Sequence, residues 1–110
     1  MSNIDEMKAN KDIDGLIQVL KSEEGDARMY ASIALSDMGA DAVEPLIGAL
    51  KEGNEDVKWE AAMALSKIGE PAVERLKEYL DSEDEEVKYY ASLALGQMWI
   101  QGHDFKGESV

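Results

Sequence analysis

Apolar residues recur at intervals of three and four along most of this chain. Val43, Leu46, Ile47 and Leu50 form one such series, and Val57, Ala61, Ala64, Leu65 and Ile68 form the next. That spacing places each series on one face of an α-helix. Between them lies the polar stretch KEGNED (51–56). Asn54 is placed there to cap the second helix, and Glu55 and Asp56 suit the positive end of its dipole. Gly69 follows the second series and can end it in a left-handed conformation. Strand patterning is absent, so the chain is predicted to be all-α.

The two helical patterns come as a pair, and the pair repeats without gaps. Residues 40–69 and 70–99 share 11 identities in 30 positions, among them Leu46/Leu76, Leu50/Leu80, Ala61/Ala91, Ala64/Ala94 and Leu65/Leu95. A third copy runs from about residue 10 to residue 39, with Leu16, Leu20, Ala31, Ala34, Leu35 and Gly39 in step. We call the first helix of each unit A and the second B. Pro71 opens the last A helix, where a missing N–H costs nothing. Pro45 falls in the first turn of the preceding one, where few donors have intrahelical partners. A unit of this size cannot bury its apolar face alone, so the three are predicted to stack as a solenoid. Residues 1–102 are read as a single domain with repeats at about 10–39, 40–69 and 70–99. Residues 3–10 are read as a short capping helix that covers the first repeat with Ile4 and Met7. Trp99 and Ile100 are expected to shield the last repeat, and residues 103–110 to form a flexible tail.

The string V-K-x-x-A-x-x-A-L at 57–65 and 87–95, the glycine after the B helix and V-E-x-L opening the next A helix resemble HEAT repeats. The thirty-residue length is closest to the short HEAT-like subtype of phycobilisome lyase subunits. The resemblance covers about residues 10–100. It implies a right-handed α-α superhelix, with A helices on the convex side and B helices lining a concave side that commonly holds ligands. It also implies a protein-binding scaffold. One motif position departs from the family: Lys58 and Lys88 stand where arginine is common, and only Arg28 keeps it.

Helical geometry places the large residues of the B helices. At about 100° per residue, with Val57 as origin, Ala61, Ala64, Leu65 and Ile68 lie within about 80° of it and form the core face. Trp59 falls at about 200°, facing away from that core, and by register so do Met29 and Tyr89. Ile33, Met63 and Leu93 form a second row nearer the flank, at about 240°. The first row either lies flat over neighbouring apolar atoms or anchors a partner. The second row serves either packing between repeats or the same surface. Met29, Ile33, Trp59, Met63, Tyr89 and Leu93 are accordingly the candidate partner-binding residues, since Trp, Tyr and Met are favoured interface anchors.

Composition narrows the chemistry. The 110 residues carry 11 Lys and Arg against 24 Asp and Glu, a net charge of −13, with no cysteine and one histidine. No basic cluster exists to neutralise phosphates, so neither nucleic acid nor an anionic membrane is expected as a partner. Eleven of the acids sit in the A–B loops 21–26, 51–56 and 81–86, which stack along one edge. That edge either keeps the chain soluble or steers a basic protein partner. A calcium reading of DSEDEE lacks the spaced ligands and the glycine turn of a calcium loop. His103 alone, with no cysteine, cannot make a triad or a zinc site. The expectation is a cytoplasmic, non-catalytic, cofactor-free scaffold, monomeric or weakly dimeric. The alternatives are a subunit of a heteromeric lyase-like enzyme and a self-associating module.

Overall fold

The computed structural model describes residues 3–22 and 25–102. The flexible-tail expectation for 103–110, with His103, lies outside the described residues. Among the described residues there are seven α-helices and no strand. A six-residue helix α1 (Ile4–Ala9) precedes three A/B pairs. These are α2 (Ile13–Ser22) with α3 (Gly25–Asp37), α4 (Val43–Glu52) with α5 (Glu55–Ile68), and α6 (Glu70–Glu78) with α7 (Glu85–Ile100). A short 3-10 turn, Gly39–Ala42, leads into α4.

The helix boundaries follow the local chemistry. Asn54 Oδ1 accepts from the Val57 amide at 2.9 Å, and Asp84 Oδ1 accepts from the amides of Glu86 and Val87. Asn3 caps α1 in the same way through the Glu6 amide. Gly69 ends α5 at φ 79°, ψ −128°, a conformation open in practice to glycine alone. Gly39 also has a positive φ, 67°. In the third unit Trp99 occupies the corresponding place, and α7 runs on through it to Ile100.

The core runs between the A and B layers. Leu16, Leu20, Leu46, Leu50 and Leu76 face it from the A side, and Leu35, Val57, Leu65 and Met98 from the B side. Burying each of these large side chains contributes about 1.5–3 kcal/mol. Ala31, Ala34, Ala61, Ala64, Ala91 and Ala94 are buried as well, and their small size lets each B helix approach its A helix closely. The Cα extents are 42 × 31 × 20 Å, the shortest being about the thickness of two helical layers. B helices contact one another more extensively than A helices do.

The third unit departs from its register. Leu80 aligns with the buried Leu50, yet it lies beyond the end of α6 and is 37% exposed. Leu95 aligns with the buried Leu65 and is only half-buried. Trp99 and Ile100, expected to shield the last repeat, are themselves 63% and 75% exposed. Ile68, expected in the core, is half-buried.

Candidate functional site

The middle B helix, α5, presents four sides. Its core side meets the A layer, its two flanks meet α3 and α7, and the fourth is free. Two ion pairs define the flanks. Arg28 of α3 reaches Asp56 of α5 at 3.7 Å, and Lys58 of α5 reaches Glu86 of α7 at 2.6 Å. In both, the cation in the first half of one B helix meets an acid in the first turn of the next. Ser32 Oγ donates to the Glu60 carbonyl across the same α3–α5 boundary, and Gln101 Nε2 donates to Ser66 Oγ farther along α5. Lys58 is buried by this stacking, while Glu86 keeps most of its carboxylate in water. No buried side-chain N or O atom among the described residues lacks a hydrogen-bond partner.

The free side of the B layer holds the first row. Met29, Trp59 and Tyr89 lie at one register on α3, α5 and α7 and are 41%, 45% and 57% exposed. The second row divides. Ile33 is exposed, Leu93 is half-buried, and Met63 is half-buried against the core. These six residues thus lie on one side of the array, with Met63 contributing the least free surface. Tyr90 packs edge-on against Tyr89, with ring centroids 5.0 Å apart. Burial pushes the Tyr90 phenol above its ordinary value, and the carboxylates of Glu55 and Glu86 push it further.

One part of this surface escaped the sequence reading. Tyr30, Ile33 and Ala34 of α3 and Asn3, Ile4, Asp5 and Lys8 of α1 enclose a cleft of about 560 Å³. Lys8 closes one end of it by pairing with Asp37 at 2.7 Å. Tyr30 falls at about 300° on its helix, facing the element that precedes α3 in the stack. Tyr90 occupies the same register and is half covered by α5. Tyr30 stays exposed because α1, at six residues, is too short to cover it. The signal was present in the shortness of the 3–10 segment and the aromatic at that angle.

The acids border the row directly. Asp26, Glu55, Asp56, Glu85 and Glu86 occupy the first turns of the B helices, and Met29, Trp59 and Tyr89 follow within a turn. Among the described residues no group of three or more acids and histidines is arranged to hold a metal ion, and no helix is long and apolar enough to cross a membrane. The convex side is different in kind. Arg75 of α6 forks onto both carboxylate oxygens of Glu44 on α4, at 2.6 and 2.9 Å, and also bonds Glu78. Tyr79 lies beneath Arg75 and Lys51, each about 5 Å from its ring centre. These contacts join two A helices.

A model of HEAT repeats matches residues 13–98. No curated protein matches the chain.

Proposed function

Since this chain belongs to the HEAT repeat family, whose repeats generally mediate protein–protein interaction, we propose that it is a non-catalytic scaffold that binds a protein segment on its concave B-helix face. The observation that carries the reading is the row Met29, Trp59 and Tyr89, three large side chains at one register on consecutive helices, all substantially exposed. A fold that hides 25 apolar residues does not need these three outside. Contiguous exposed apolar surface rimmed by polar groups marks interaction sites. Helices packed about 10 Å apart make the row about 20 Å long, which matches about six residues of extended peptide. Ile33, Met63 and Leu93 widen it along each helix.

The partner's chemistry follows from the border of acids beside the row. The segment that fits is basic with one or two large apolar side chains, drawn in by the acidic helix starts and held by Trp59 at the centre. The test is selection from a displayed peptide library, followed by titration of the selected peptides. Lys or Arg beside a large apolar residue should be enriched. Trp59→Ala should abolish binding and leave the helical circular dichroism unchanged, and association should slow steeply with added salt. Selected peptides that bind Trp59→Ala as well as the parent would sink the reading, as would a Trp59→Ala chain that fails to fold.

A further inference from the structure

The cleft of about 560 Å³ between α1 and α3 continues the exposed row of the B helices. Ile33 belongs to both, and Tyr30 follows Met29 directly. Its apolar walls are Ile4 from α1 and Tyr30, Ile33 and Ala34 from α3. Tyr30 and Ile33 are exposed although α1 packs on the same helix. The charges around the cleft do not balance. Lys8 is the one cation among its described lining residues, and its ammonium is held by Asp37 at 2.7 Å. Asp5 also lines the cleft; it is exposed, and its carboxylate meets no partner among the described residues. Asp26 stands four residues before Tyr30 and so on the same face of α3; it too is exposed and without a partner among the described residues. The cleft is an apolar depression with unspent negative charge at its rim.

We propose that this cleft is a second anchor point for the bound protein segment: it takes one large apolar side chain, and the segment's adjacent Lys or Arg meets Asp5 and Asp26. This rests on the reading of the row as a peptide site. Charge decides the occupant. A carboxylate or phosphate finds no unpaired cation among the lining residues and meets two acids and the field of a chain carrying −13. An uncharged apolar ligand gains nothing from those acids, and a bare cation leaves Tyr30 and Ile33 uncovered. A large apolar side chain next to a cation satisfies both features, and the ring of Tyr30 adds an attraction for the cation. The volume falls among sites of about 300–1,000 Å³ that bury small ligands, which leaves room for a side chain and its adjoining backbone. The spacing of the two anchors follows from the stack. α1, α3 and α5 contact in that order, so the cleft lies about one and a half helix spacings from α5, or about 15 Å. An extended segment covers that distance in about four or five residues. The segment therefore carries one apolar residue for Trp59 and a second, beside a cation, about four or five positions away.

The test has two arms. In the first, phenethylammonium and phenylacetate, the same ring with opposite charges, are titrated into the full chain while the backbone amide resonances are followed. Phenethylammonium should shift the amides of Asp5, Tyr30, Ile33 and Ala34, and phenylacetate should bind at least about ten-fold more weakly. Asp5→Asn and Tyr30→Ala, both at exposed positions, should keep the helical spectrum and weaken the cation at least about three-fold and ten-fold. No shift, equal binding of the two probes, or shifts centred on Trp59 instead overturns the cleft. In the second arm, peptides selected on the parent chain are titrated against both variants. Tyr30→Ala should cost at least about ten-fold in affinity and remove the preference at one apolar position, leaving the preference at the position that depends on Trp59. Peptides that need Trp59 and ignore Tyr30→Ala and Asp5→Asn overturn the second anchor and leave the first standing. If no peptide is selected, the segment reading fails and this occupant with it, whatever the probes do.

Discussion

Lys58 shows how one residue serves both packing and register. Its stem is buried between α5 and α7, and its ammonium meets Glu86 at 2.6 Å where the acid is still wet. Removing the acid leaves a buried cation without its partner, whereas replacing the lysine by an apolar chain of similar length removes both demands together. Glu86→Ala is therefore expected to cost about 1–2 kcal/mol in chemical denaturation, and Lys58→Met less. An equal or larger loss for Lys58→Met would show that the stem's packing is not what matters. Glu44 gives a smaller effect of defined sign. The Arg75 hydrogen bonds hold its carboxyl below the ordinary value of 4.5. A carboxyl lowered in the folded state stabilises the fold above its unfolded value, and that contribution disappears as pH falls through the folded value. Because Glu44 is largely exposed, the parent should exceed Glu44→Gln by at most about 1 kcal/mol near neutral pH. The two should converge as pH falls through that folded value; a gap that does not shrink in acid would contradict this origin.

Among the elements, the B helices were the most legible and the ends the least. The core set Val57, Ala61, Ala64 and Leu65 follows from helical angle alone, and all four are buried. Asn54 was readable as a cap because a short polar side chain preceded an acidic first turn. The misreadings share one cause. Leu80 and Leu95 share register with buried residues of the middle unit, but register carries local periodicity and not the neighbour that completes burial; Trp99 and Ile100 were expected to supply cover and are themselves exposed. Tyr30 was missed for the converse reason, since its exposure depends on how short α1 is. Gly69 is the element-level test. Its φ of 79° and ψ of −128° exclude a side chain without strain, so Gly69→Ala should lower stability by about 1–3 kcal/mol. An unchanged melting temperature would mean that the α5–α6 junction can relax.

At the scale of the molecule, the sequence identified the repeat architecture and the side of the array on which Met29, Trp59 and Tyr89 lie. It left open which flank residues remain exposed, because that depends on contacts between units of identical pattern. The two ion pairs add a consequence for chain length. The middle unit carries both halves of the junction: Asp56 receives Arg28 from the unit before, and Lys58 reaches Glu86 of the unit after. A second copy of residues 40–69 inserted after the first would meet an Asp56 with its Lys58 at the new boundary. Nothing in the middle unit counts how many units there are. The B-helix junction is therefore modular, and a duplication in phase with thirty residues could lengthen the binding face while keeping that ion pair at the new boundary.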